Sequence, residues 1–472
     1  MRQHSRRFAA GAAVAGVLMV GLSATGWQPA SAAASGVQVT PGPADRVDRP
    51  WLGYGINYEP EPNGGTNTGV YTDAMAALEA GRMDEIRPQV ARVTWLTTGF
   101  APGNKVGEYD WSSNWAQNEF KALDYLKARN IPVMIGFWTT PWDATGPDYA
   151  TAAADLLEHL VKDKGYTNIK WWNGVNEPNH RDPRTYARWR DSQVNVAAEL
   201  KQRGLDVTTI GPGTQDFGAT QDWLGAASTE LAGTTSGYSI HYYPTAADSI
   251  SSGRVEPAIK DLVDKVDAND PERKPFFVEE LGDKSGWDPA TDRQPRVTTY
   301  GYGLDMADLG IQLGRAGVSS PMAWRLSDVG SPKLWGMWNG VAGDEDVRPW
   351  AYSWAMLSRA FPAGSRLFAP VQPDGLRVLA AEIPAGAGRG HGARSDWSFA
   401  LVNRSDQSVS TTVRVPGVGR TVVTTYKYSD GDRPSTADGL PVPEAVKSDN
   451  LSRGVEVEVP AGSFVVVTTL EH

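Results

Sequence analysis

The stretch 171–179 reads WWNGVNEPN. Trp171, Trp172 and Val175 suit a strand buried on both faces, yet the run closes on Glu177, a carboxylate held between Asn176 and Pro178. Proline cannot continue a hydrogen-bonded ladder and pushes the residue before it out of helical geometry, so the strand must end here. A carboxylate at the end of a buried strand is costly unless the charge is used there. The pattern returns at 276–282, FFVEELG, where an apolar run closes on Glu279 and Glu280.

Outward from these two stretches, strand-like runs fall at 52–58, 90–96, 132–138, 169–175, 207–211, 237–242, 275–281 and 319–326. Amphipathic segments separate them. Ala153, Leu156, Leu157, Leu160 and Val161 recur at helical spacing, and Tyr186, Trp189, Val196, Ala197 and Leu200 suit a second apolar face. Pro183 and Pro257 stand where helices can begin. Strands apolar on both sides belong to parallel sheets. Eight of them alternating with helices predict an α/β fold, a (β/α)8 TIM barrel over 40–360. A doubly wound sheet is the alternative, but Gly53-Tyr54-Gly55 does not continue into a phosphate-binding loop. After a last helix near 350–359 the texture changes. Short β-rich runs at 376–383, 397–403, 408–415, 421–428, 455–459 and 463–470 show no helical period, so 361–472 reads as a small C-terminal β-sandwich.

Arg2, Arg6 and Arg7 precede an apolar run at 8–22, and Ala30-Ser31-Ala32-Ala33-Ala34 offers small residues for cleavage. That is the order of a secretory signal, so 1–34 is expected to be removed and the mature protein to be extracellular, with no membrane span. The 472-residue chain has a net charge of −10, and the leader carries three arginines and no acid, so the mature chain is more acidic still. Such a surface repels phosphate backbones and argues against a nucleic-acid partner. With no cysteine there is neither a disulfide framework nor thiolate chemistry. The six histidines show no metal-ligand spacing, and no G-x-S-x-G elbow or Walker loop occurs. Neither metal nor cofactor is implied.

Function in a barrel gathers at the C-terminal ends of the strands. Glu177 closes the fourth strand and Glu279-Glu280 the seventh, so two carboxylates can face each other across a cleft. Such a pair serves glycoside hydrolysis: one carboxyl protonates the leaving oxygen, the other attacks the anomeric carbon, and their pKa values are tuned in opposite directions. Side chains alternate along a strand, so only one of Glu279 and Glu280 is expected to face the pocket.

These residues resemble the clan A glycoside hydrolases, the retaining 4/7 superfamily, through the whole barrel. The resemblance implies that Glu177 is the acid/base, Asn176 binds the sugar 2-hydroxyl, and Glu280, in Glu280-Leu281-Gly282, is the nucleophile, with Glu279 the close alternative. Glu280→Gln is then expected to abolish turnover and Glu279→Gln to leave most of it. Similarly, Tyr243 in His241-Tyr242-Tyr243 resembles the tyrosine that bonds the nucleophile, and Arg92 the arginine that keeps it ionised. Trp324 resembles the platform beneath the sugar at the cleavage point. An arginine does depress a carboxylate pKa, and an aromatic face suits the C–H face of a sugar. His241 is a candidate for substrate contact or for a purely structural place. Trp138, Trp142, Trp287, Trp335 and Trp338, and the loop from Tyr58 to Pro62, are further candidates for cleft walls. A barrel followed by one sandwich resembles families 39, 30 and 51. The run around Asn-Glu-Pro also resembles family 5, although Phe137-Trp138-Thr139-Thr140 lacks the histidine that family often carries after strand three. The expected substrate is a carbohydrate and the expected activity hydrolysis of O-glycosidic bonds. A transglycosylase would use the same residues, and a non-catalytic carbohydrate-binding barrel would be expected to have lost one carboxylate.

Overall fold

The computed structural model describes residues 37–60, 71–215, 217–328, 334–339, 346–386 and 394–471; the expected leader, and Glu61 and Pro62 of the loop above, lie outside them. A short strand β1 (Val37–Val39) comes first. The barrel strands follow as β2 (Gly55–Asn57), β3 (Val90–Leu96), β4 (Val133–Thr139), β5 (Ile169–Val175), β6 (Thr208–Thr209), β7 (Gly211–Thr214), β8 (Tyr238–Tyr242), β9 (Phe276–Leu281) and β10 (Ser320–Ala323). They are parallel and ordered β6-β5-β4-β3-β2-β10-β9-β8-β7. β6 and β7 are two halves of the fifth strand, parted at Ile210, so nine strands fill the eight positions of a nearly closed TIM-type barrel. Helices lie between the strands, and several open on hydroxyl caps: Thr72, Ser113 and Thr299 each accept a backbone N–H from the first turn.

Residues two apart along each strand point inward, and their chemistry climbs from floor to mouth. Val90, Met134, Ile210, Phe277 and Met322 form a small apolar cluster, with Trp171 packed on it. The next inward positions are polar: Asn57, Arg92, Asn173, Ser239 and Glu279, all buried. Above them stand Asn176, Glu177, His241, Glu280 and Trp324. The outward residues, among them Val93, Ile135, Trp172, Ile240 and Val278, pack into the large core shared with the helices.

The remaining strands are β11 (Arg366–Phe368), β12 (Leu376–Ile383), β13 (Asp396–Asn403), β14 (Val409–Val413), β15 (Arg420–Tyr428), β16 (Ala445–Asn450), β17 (Val455–Val459) and β18 (Ser463–Thr468). They make a sandwich of an antiparallel sheet β11-β12-β13-β18-β15-β16 and a smaller sheet β1-β14-β17. β1, from the other end of the chain, runs parallel to β14. β16 has the sequence AVKSDN and is largely exposed at the sheet edge, so it carries no hydrophobic alternation that would announce it. The large sheet is apolar on both faces. Val378, Ala380, Val465 and Val467 belong to the sandwich core, while Leu379, Ala381, Phe464 and Val466 join the core of the barrel helices.

One buried acid anchors this contact. Asp308, on the helix Tyr300–Arg315, has a fully buried side chain that takes Arg404 Nε at 2.7 Å and an ion pair from Arg377 on β12. Removing one partner of such a network strands the other charges in a dry place. Asp308→Ala is therefore expected to lower stability by about 3–5 kcal/mol, read as a drop in the denaturant midpoint.

Candidate active site

The Asn176-Glu177-Pro178 turn leaves β5 with Asn176 N–H bonded to the Phe137 carbonyl at 2.8 Å. Glu177 has φ +48°, a left-handed conformation that costs a non-glycine residue about 1 kcal/mol or more. The turn is held because the Glu177 carbonyl accepts the N–H groups of both His180 and Arg181. Glu177 is thereby aimed over the mouth.

At β9 the expectation of strict alternation fails. His241 on β8 pairs with Glu280, whereas Ile240 pairs with Val278, so Glu279 forms a bulge. A bulge inserts one residue and resets the alternation. Glu279 and Glu280 consequently both face inward, and Leu281 returns to the outer core. They lie at different depths. Glu279 is fully buried below, taking Asn173 Nδ2 at 2.9 Å and Ser239 Oγ at 3.1 Å, with Arg92 Nε at 3.8 Å and His241 Nε2 at 3.6 Å. Two glycines make room for this layer. A Cβ on Gly213 would lie 2.2 Å from Glu279 Oε1, and one on Gly136 would lie 1.9 Å from Asn173 Oδ1. The mild outcome expected for Glu279→Gln is therefore corrected: Glu279 is the counter-charge on which Arg92 and His241 rest, and its neutralisation is expected to impair both folding and the site.

Glu280 stands at the mouth. Arg92 Nη1 donates to its Oε1 at 2.6 Å and the Tyr243 hydroxyl to its Oε2 at 2.9 Å. Arg92, 1% exposed, also donates to Asn57 Oδ1 at 3.0 Å and to Asn176 Oδ1 at 2.6 Å. Asn176 Nδ2 is left without a partner among the described residues, a donor free for a hydroxyl. His241 is neither a surface contact nor inert packing. Its Nδ1 lies 3.1 Å from Glu177 Oε1 and 3.2 Å from Glu280 Oε2. One donor atom each of Glu177, His241 and Glu280 lies within 4.8 Å of the other two. Three such groups could also close on a cation, but here His241 Nδ1 hydrogen-bonds Glu177 and pairs with the charge of Glu280.

The charges are unevenly placed. Burial lowers the His241 pKa, but Glu280, Glu177 and Glu279 outweigh it and raise it to about 9, so the ring is cationic at neutral pH. Burial raises Glu177, but His241, with Arg181 and Lys284, outweighs it and takes the carboxyl to about 2. Glu280 is raised by burial and by the charges of Glu177 and Glu59, against His241 and Arg92, which lower it.

Trp324 and Trp138 lie stacked, centroids 6.0 Å apart and 19° between planes, at one side of the mouth. Arg181 lies 4.7 Å over the Trp138 ring. On the other side a cavity of about 380 Å3 is lined by His180, Gln215, Tyr242, Tyr243, Lys284 and Trp287, among others. Of the other candidate tryptophans, Trp142 bonds the Asn104 carbonyl and packs on Phe137, and Trp338 is buried beside Glu79 and Arg82. Trp335 stands edge-on to Tyr243. Asn57, Asn173, Ser239, Gln215 and Lys284 had no signal in the sequence: each is a common residue whose partner lies on a different strand or loop.

A near-closed (β/α)8 barrel followed by a sandwich packed on its last helices is a fold this chain shares with solved glycoside hydrolases. The chain is similar in structure to a family 30 endoxylanase from Clostridium papyrosolvens, at TM-score 0.64 and 13% identity, over 93% of this chain and 100% of that one. It is likewise similar to a family 39 β-xylosidase from Caulobacter crescentus, at TM-score 0.61 and 16% identity, covering 92% and 99%. An α-L-arabinofuranosidase from Thermotoga maritima matches at TM-score 0.62 and 14% identity, covering 92% and 99%. No protein-family model matches the sequence, and neither does any curated protein.

Proposed function

We propose that the protein is a retaining glycoside hydrolase that cleaves O-glycosidic bonds of a poly- or oligosaccharide by double displacement through Glu280 and Glu177. One observation carries this reading: the two carboxyl groups, from opposite sides of the barrel, have oxygens within 4.8 Å of each other. Retaining enzymes hold their carboxyls about 5–5.5 Å apart, whereas inverting enzymes leave room for a water between them.

In the first step a Glu280 oxygen attacks the anomeric carbon while Glu177 gives its proton to the departing oxygen. A glycosyl ester on Glu280 results. In the second step Glu177 takes a proton from water, the water oxygen attacks the same carbon, and the ester breaks, returning Glu280 and the original configuration. Arg92 and Tyr243 each donate to one Glu280 oxygen, so the carboxylate is restored with both its partners in place. Asn176 Nδ2 is the donor available to a sugar hydroxyl beside the bond that breaks.

In the empty cleft the shifts run the other way, with Glu177, against its burial, held low chiefly by His241 and Glu280 raised by burial. Two interacting carboxyls titrate as a pair, so a glycosyl ester on Glu280, which removes a like charge, is expected to lower the Glu177 pKa.

The leader at the N-terminus supports export, and no helix among the described residues is long and apolar enough to cross a membrane. The similar structures are named for xylan, β-xyloside and α-L-arabinofuranoside cleavage, which puts aryl glycosides of xylose and arabinose and their polysaccharides first in a substrate screen. The decisive measurement is proton NMR of the first-formed sugar. Retention is expected, and an initially inverted anomer would overturn the double displacement.

A further inference from the structure

Glu177 is gripped from two sides, and the reaction as written uses only one of them. His241 is the first. The second comes from the loops after β7 and β9. The side-chain amide of Gln215 fits its surroundings with its nitrogen donating to Glu177 Oε1 at 3.1 Å and its oxygen accepting from Lys284 Nζ at 2.6 Å. Both donors therefore occupy the same carboxylate oxygen. Glu177 Oε2 forms no hydrogen bond among the described residues.

The arm is built to be rigid. Asn179, two residues past Glu177, accepts the Gln215 backbone N–H and donates to its carbonyl, which ties the end of the fifth strand to the Glu177 turn itself. Lys284 has its ammonium 4.5 Å over the Tyr243 ring and 4.6 Å over the Trp287 ring, and it forms no salt bridge among the described residues. Among the described residues its one hydrogen bond to a side chain goes to Gln215. A cation bonded to an amide oxygen polarises the amide and makes its N–H a stronger donor. Burial lowers the Lys284 pKa, against the pull of Glu177, Glu280 and Asp292.

We propose that Gln215 and Lys284 are positioning residues for the acid/base: Lys284 fixes Gln215, Gln215 fixes Glu177 Oε1, and Oε2 alone is presented to the glycosidic oxygen. The proposal rests on Glu177 being the acid/base. The charged groups facing Glu177 are His241, Glu280, Arg181 and Lys284, so the arm acts beside three others. Its contribution stabilises the carboxylate, which makes Glu177 a stronger acid. Removing the arm raises the Glu177 pKa and lets the carboxyl rotate away from the leaving group.

The test uses Lys284→Met, Gln215→Ala, the double variant and Lys284→Arg in the full-length mature protein. The first readout needs no turnover: the Glu177 carboxyl carbon is titrated by NMR in 13C-glutamate protein, its signal assigned by loss in Glu177→Gln. The midpoint is expected to rise by about half a pH unit or more in both single variants. In the double variant it should rise by less than the sum of the two single shifts, because the hydrogen bond is lost only once although the Lys284 charge also acts on Glu177 directly, and it should return towards the parent value in Lys284→Arg. The second readout is kcat/KM on aryl glycosides of graded leaving ability. A loss of about tenfold is expected on poor leaving groups, and a much smaller one on activated groups that need little protonation. A midpoint unmoved in both single variants overturns the proposal, and so does a loss equal across all leaving groups. A parent protein that turns over no glycoside while the midpoint still moves refutes the glycosidase reading and leaves the arm standing.

Discussion

Glu280→Ala is expected to lose about 10^5-fold in kcat on every glycoside, because no covalent intermediate can form. Added azide should then restore turnover only by direct attack, giving a glycosyl azide of inverted configuration. Glu177→Ala is expected to behave differently. Substrates with poor leaving groups should suffer most, while an activated aryl glycoside still forms its glycosyl-enzyme and then stalls for want of a base. Azide needs no general base, so it should release that intermediate as a glycosyl azide of retained configuration. The structure supports this assignment through the two oxygens of Glu280, each bonded to a fixed donor, Arg92 at 2.6 Å and Tyr243 at 2.9 Å, which suits a group that must keep its charge. Inverted azide from Glu177→Ala would mean that the two roles are exchanged.

Arg92→Met is the second large effect. The guanidinium is buried among Glu279, Glu280, Asn57 and Asn176, and a thioether of similar length supplies none of those four contacts. An adjacent cation lowers a carboxylate pKa by about 1–3 units, and each unit is tenfold in the ionised fraction. Without Arg92 the Glu280 pKa rises. If Glu280 is the nucleophile, it is then ionised only at higher pH, so activity at neutral pH should fall by about 10–1000-fold and partly recover as the pH is raised. The acid limb of the pH profile should move upward by the same number of units. Stability should fall too, by about 3–5 kcal/mol at neutral pH, since two buried carboxylates lose their cation. Glu279 sets the pH window for that term. Burial raises its pKa, but His241, Arg92 and Asn173 prevail and hold it below the ordinary glutamate value. Its contribution is therefore present above the unfolded pKa of about 4.3 and is lost as the pH falls through the folded one. Arg92→Lys should rescue little, because one ammonium cannot reach four acceptors in a fork. An acid limb that stays in place in Arg92→Met would show that the arginine does not govern Glu280.

Much of this was written in local sequence. The stretch 171–179 carries its own strand, its stop and its candidate acid/base carboxylate, because a buried parallel strand needs apolar residues on both faces and Asn-Glu-Pro cannot prolong it. The same holds for 276–282, and eight such runs in series leave little choice but a barrel. Short-range chemistry also fixed which residues stand at strand ends: Glu177, His241, Tyr243, Glu280 and Trp324 are all found at the mouth. What local pattern could not determine was depth and partnership. Glu279 and Glu280 were expected to point opposite ways, and they do not, because a bulge opposite His241 resets the pleat; a bulge is a property of two strands together. Arg92 was expected near the nucleophile, but its hold on Asn57, Asn176 and Glu279 exists only once strands one, four and seven close around it. Strand β1 joins the sandwich from the far end of the chain, and polar β16 is a strand only because β15 offers it an edge. Gln215 and Lys284 come last in this order. Neither belongs to any motif, and their meeting at Glu177 depends on the barrel bringing the fifth and seventh loops to the end of the fourth strand. Sequence determines what is cheap for a segment alone; the tertiary fold decides which buried charges answer one another.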